Sequence, residues 1–184
     1  MLESVEVDWK PFWKLIDESY RPDGPEHFEA LKAALAKLPP DEMVGFQARF
    51  DEAMEAANLI DLWGAAYLVN GGCSDDGFHD FRAWLVGRGR HAYEAALKHP
   101  DSLADVLDGD PVSGFGLDVA AARVYEETTG KDDFYDRLDR AEDELPPPPP
   151  EGIDWDFDDD GEMKKRFPRL CHLYLTPAAD EEPA

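Results

Sequence analysis

The chain has 184 residues, enough for one domain with a sizeable core plus a tail. Hydrophobic residues make up 43% of it and aromatics 11%, the composition of a folded chain, and 18 basic against 42 acidic residues leave a formal charge of −24. A surface of that sign repels phosphate backbones and anionic lipid, which excludes direct nucleic-acid reading and electrostatic membrane attachment. It leaves solubility, mimicry of nucleic-acid charge, or a basic protein partner as its reason.

The first helix is predicted from about Trp9, with Pro11 in the first turn, where a missing N–H costs little. Phe12, Leu15, Ile16 and Tyr20 recur at helical spacing before the turn Arg21-Pro22-Asp23-Gly24. A second helix runs from Pro25 with Phe28, Leu31, Leu35 and Leu38 on one stripe, ended by Pro39-Pro40. Asp41 and Glu42 open a third, whose inward face is Met43, Phe46, Phe50, Met54 and Ala57. Asn58 to Ile60 bends or breaks the chain. Trp63, Ala66, Tyr67 and Asn70 then carry a helix to the stop Gly71-Gly72.

Ser74 is placed to cap the next helix, Asp75 and Asp76 suit its first turn, and Phe78, Phe81, Trp84 and Leu85 form its buried face. A short helix with Tyr93, Ala96 and Leu97 reaches Pro100. Asp101 caps one turn through Leu107, and Asp108 to Gly116 reads as an exposed loop. The last core helix is Leu117 to Thr129, closed by Gly130, with Val119, Ala122, Val124 and Tyr125 inward. No convincing alternating strand occurs. The expected fold is all-α: a compact domain of about six to eight helices over residues 1–130, with a proline- and Asp-rich C-terminal extension.

Residues 131–162 read as an acidic, proline-rich linker. Glu142 to Glu162 holds ten acidic residues and no basic one, and Pro146–Pro150 favours an extended spacer. Ile153, Trp155 and Phe157 alternate with aspartates. Residues 163–184 form a tail, and the extension is expected to dock back through Trp155 of the linker and Phe167, Leu170 and Leu173 of the tail.

Two cysteines far apart in the chain, Cys73 and Cys171, make no disulfide framework, and the acidic stretch Met1–Asp8 lacks the apolar core of a signal peptide. No apolar run approaches the roughly eighteen residues that mark a spanning helix. A cytoplasmic setting is expected.

Candidate chemistry centres on the double-glycine turn. Cys73 near a helix N-terminus has the position of an activated thiol, but Asp75 and Asp76 oppose a thiolate. Asp156-Phe157-Asp158-Asp159-Asp160-Gly161 matches the first half of a calcium loop, yet Lys164 and Phe167 stand where the later ligands belong, so an acidic linker explains it better. Cys73, His79, Cys171 and His172 match no compact zinc spacing, and His27, His91 and His99 are expected to face water. Asp61 and Asp80 flank aromatic-rich helices, with Arg82 and Arg88 as natural ion-pair partners. The candidate binding residues are Asp61, Trp63, Asn70, Cys73, Asp75, Asp76, Arg82 and Trp84. No catalytic set, metal or cofactor is expected.

The segment Phe12-Trp13-Lys14-Leu15-Ile16-Asp17, the pairs Phe46-Gln47 and Phe50-Asp51, and above all the block from Asp61 to Phe78 resemble the bacterial domain of unknown function 4240 family. The likeness runs from about Trp9 to Gly130, with Tyr125-Glu126 like the family's closing helix. It implies no particular activity, since the family carries none that is established, and the proline and Asp-rich stretches look like local embellishment.

Two functional readings follow. The first is a non-enzymatic binding or regulatory module, such as an immunity or adaptor protein, whose acidic surface meets a protein partner of basic character. It is favoured because no catalytic constellation is complete. The second is a small-molecule-binding protein or enzyme with its site at the Asn70–Asp76 turn, assisted by Arg82 and Trp84.

Overall fold

The computed structural model describes residues 9–138 and 148–175. Met1–Asp8, residues 139–147 with Pro146 and Pro147 of the proline run, and residues 176–184 lie outside that description. The chain is all-α. In order come α1 (Lys10–Ser19), α2 (Gly24–Leu35), α3 (Pro40–Ala56), α4 (Ile60–Asn70), α5 (Asp75–Gly87), α6 (Arg90–Lys98), α7 (Ala120–Thr129), α8 (Phe134–Arg137), α9 (Asp160–Arg166) and α10 (Pro168–Leu175). Short 3-10 turns at Pro100–Asp105 and Leu117–Val119 lie between α6 and α7.

Local chemistry sets most of these limits. Asp23 caps α2 by accepting from Glu26 N–H at 2.9 Å, and Ser74 Oγ accepts from Gly77 N–H at 3.2 Å at the start of α5. Gly71 (φ 66°) and Gly130 (φ 68°) end α4 and α7 in the left-handed conformation that a side chain disfavours.

α3 is the central element, packed on α7 and α5, while α2 lies against α1 and α7. Phe50, at 0% exposure, sits where Phe12 and Phe46 converge, with ring centroids 6.4 and 6.1 Å away. Burying a side chain of that size contributes about 1.5–3 kcal/mol. α4 packs on α5 and on α10, and the core runs without interruption into Met163, Phe167, Leu170 and Cys171. Leu173 is only half-buried.

Several expectations need correcting. His27 does not face water; it is 6% exposed, because α2 turns it under Tyr20 and against Gly87. Asp101 does not cap its own turn. Its carboxylate accepts from Arg169 N–H and Leu170 N–H, both at 3.0 Å, and so caps the distant α10. On α7 the buried face is Ala120, Ala121, Val124 and Tyr125, with Val119 and Ala122 half-buried, because a 3-10 turn over Leu117–Val119 shifts the angular register. The Asp108–Gly116 segment is no free loop. A side chain at Gly114 would meet Asp80 O at 2.7 Å, and Asn70 Oδ1 accepts from Val112 N–H at 2.9 Å, so the segment lies pressed on α5 and α4.

Candidate functional site

From the last prolines of the run onward, residues 148–159 cross α4 as a strap. Its entry is fixed by backbone pairing: Glu151 N–H donates to Asn58 O and Ile60 N–H donates to Glu151 O, both at 2.8 Å. Asn58 Nδ2 also donates to Pro148 O at 2.9 Å. The strap then lays Trp155 on the bare backbone at Gly64, where an added Cβ would stand 2.4 Å from Trp155 Cζ2. The indole N–H donates to Asp61 Oδ1 at 3.1 Å, and the same oxygen accepts from Arg166 at 2.8 Å. Arg166 in turn lies over the Trp155 ring at 4.8 Å. Asp61 therefore pairs with Arg166, not with Arg82 or Arg88.

A groove of about 620 Å³ runs between the strap and one face of α4. Ile60, Trp63 and Tyr67 form the helix side, three positions that helical spacing aligns. Phe157 closes it, edge-on to Trp155 at 4.8 Å and within 5.6 Å of Tyr67. The alternation in the strap sets Trp155 and Phe157, both half-buried, among the exposed Asp154, Asp156 and Asp158. None of the described residues lining the groove is basic. Tyr67 O–H donates to Asp158 Oδ1 at 2.7 Å, and that carboxylate raises the Tyr67 pKa above the ordinary phenol value.

The carboxylates of the calcium-like run are taken up by local structure. Asp156 Oδ1 accepts from Asp158 N–H at 3.0 Å, and Asp159 Oδ1 accepts from Gly161 and Glu162 N–H at 2.8 and 3.1 Å, capping α9. No group of three or more His, Cys, Asp or Glu side chains among the described residues is arranged to hold a metal ion.

The sequence-derived site residues fall in different places. Asp61 and Trp63 belong to the groove, the first by anchoring Trp155 and Arg166, the second as lining. Trp63 also stacks on Phe78 with ring centroids 5.1 Å apart and donates to Cys73 O at 3.0 Å, which ties the glycine turn to α4. Asn70 holds Val112, and Asp75 and Asp76 stand exposed in the first turn of α5. Arg82 donates to Met54 O at 3.0 Å and covers the Phe78 ring, so it is spent on packing α5 to α3. Trp84 walls a separate cavity together with Tyr20, His27 and Arg88. Burial pushes the Cys73 thiol up to about 11, with the Asp75 and Asp80 charges adding to it, so a thiolate nucleophile is not available near neutrality. His79 is engaged elsewhere, its Nε2 3.1 Å from Asp118 Oδ2, and that partner holds the Asp118 carboxyl below its usual value.

Tyr67 and the strap aspartates are groove residues that the sequence reading did not place in a site. Tyr67 was marked by its helical spacing from Ile60 and Trp63, and the aspartates by the period-two alternation over 153–158, which gives an extended segment two chemically different sides.

Residues 8–144 match the family model described as protein of unknown function (DUF4240). The chain belongs to that family. No curated protein and no solved structure matches it. The DUF4240 match spans the α4 side of the groove, while strap residues 148–159 lie beyond the matched residues. No helix among the described residues is long and apolar enough to cross a membrane.

Proposed function

We propose that this DUF4240 protein is a non-enzymatic binding module that takes a basic segment of a protein partner into the groove between α4 and the strap. The observation that carries this reading is the pairing of Trp63, Tyr67, Trp155 and Phe157 rings with Asp154, Asp156 and Asp158 in one groove. A lysine or arginine side chain over such rings gains about 0.5–1 kcal/mol at an exposed site, and more when desolvated. The surrounding carboxylates add attraction and speed the encounter. The overall charge of −24 extends the same field beyond the groove. Cys73 and Cys171 are free thiols, in keeping with a reducing, cytoplasmic setting.

Short oligo-arginine peptides, followed by calorimetric titration at low and high salt, test the reading. Asp154→Asn with Asp156→Asn should weaken binding roughly fivefold or more. The same charge change on α2, which carries no groove residue (Glu26→Gln with Glu29→Gln), should have a much smaller effect. Equal losses from the two pairs would mean that only net charge matters and would refute the groove as the site.

A further inference from the structure

A second cavity, of about 360 Å³, lies between the α1–α2 turn, the end of α5 and the 106–117 segment, and shares no lining residue with the groove. Its volume falls within the range of small-molecule sites, about 300–1,000 Å³. In this acidic chain, Arg90, Arg137, Arg166 and Arg169 all pair with carboxylates. Arg88 differs. Among the described residues its hydrogen bonds go to the uncharged Tyr20 O–H and, at 3.4 Å, to Val106 O. Its Nε is buried with no hydrogen-bond partner among the described residues. The guanidinium lies over the Tyr20 ring at 4.5 Å and within 5.9 Å of Trp84, and burial lowers its pKa while Asp108 works the other way. A half-buried cation without a close counter-ion costs free energy that an anionic group would relieve.

His27 adds an independent sign. It lines the same cavity at 6% exposure, and its Nε2 is buried with no hydrogen-bond partner among the described residues. Burial, with Arg21 adding to it, lowers its pKa to about 4, so the ring is neutral and offers hydrogen bonding without charge. The other charged groups of the lining are Arg21, Asp108 and Asp110, all three exposed. The cavity is thus polarised, with Arg88 inside and Arg21, Asp108 and Asp110 towards solvent. Two arginines and two aspartates leave the lining with both signs of charge in balance, which suits a zwitterion better than a dianion or a simple cation.

We propose that this cavity binds a free α-amino acid, its carboxylate on Arg88 beside His27 and its ammonium towards Asp108 and Asp110. Trp84, Leu107 and Val112 give the same cavity apolar lining for the ligand's side chain. The site is separate from the groove and stands or falls independently of it.

Thermal denaturation of the full chain with each proteinogenic amino acid at about 10 mM tests this, because a ligand of the native state raises its melting temperature. Each amino acid is paired with its des-carboxy amine and its des-amino acid. At least one amino acid should raise Tm saturably, its amine should not, and its des-amino acid should do so far less. Arg88→Gln should abolish the shift. Asp108→Asn, an exposed change, should weaken the amino acid about tenfold and leave the des-amino acid unaffected. Absence of any shift, a shift that survives Arg88→Gln, or equal response to the des-amino acid would overturn the proposal. Should Arg88→Gln fail to fold, an unchanged affinity in Asp108→Asn alone overturns it.

Discussion

Replacing Gly64 by alanine should separate the effect of the strap from that of the helix. In a helix interior alanine is favoured over glycine by about 0.5–1 kcal/mol. At Gly64, however, the new Cβ would stand 2.4 Å from Trp155 Cζ2 and 3.3 Å from Phe167 Cε2. Overpacking of that kind costs about 1–3 kcal/mol, so the net result is a loss on the order of 1–2 kcal/mol. In a domain of this size each kcal/mol lowers Tm by about 2–4 °C. Gly45, exposed on α3 with nothing within 4 Å of its added Cβ, supplies the control. There the same substitution should stabilise by about 0.5–1 kcal/mol. Because Trp155 has more freedom to move than the α4 backbone, hydrogen exchange should quicken at the Ile60 and Glu151 amides that bridge strap and core. Amides of α3 should be unaffected. If Gly64→Ala raised Tm as Gly45→Ala does, the packing of Trp155 on α4 would be wrong.

His27 makes stability depend on pH. Its folded pKa, about 4, lies below the ordinary 6.5, so between those values the unfolded chain binds the extra proton. The stabilisation is full above pH 6.5 and declines as pH falls towards 4, by up to about 3 kcal/mol. Urea denaturation at several pH values should show a shallower decline for His27→Gln, and an identical slope would count against a buried neutral ring. Cys73, with its thiol raised from 9.0 to about 11, should alkylate at pH 8 about a hundredfold more slowly than an unperturbed thiol; iodoacetamide labelling followed by mass spectrometry reads this directly, and a normal rate would contradict the assignment. Asn70→Ala removes the acceptor for Val112 N–H and should cost about 1 kcal/mol, with faster exchange at Val112 as its local signature. Unchanged exchange there would show that Asn70 does not tether the segment.

The limits of the helices were readable from sequence because the interactions that set them are local. Pro11, Asp41, Gly71, Ser74 and Gly130 act within a turn or two of their own position, and the apolar periodicity of α3 and α5 marks the buried side before any partner is known. Which groups meet across the fold was settled elsewhere. Asp61 and Arg166 are 105 positions apart, and Asp101 caps a helix that begins more than sixty residues later. His27 reads as a solvent-facing residue on its own helix, and only the placement of α1 and α5 removes it from water. Arg88 has no distinguishing neighbour in sequence either; its place in a cavity without a salt bridge among the described residues arises from three separate segments folding around it. Helical periodicity depends on the residues within one helix, whereas burial of a polar group, the pairing of charges and the walls of a cavity depend on the directions in which separate helices pack. Those directions come from the summed fit of many side chains in the core.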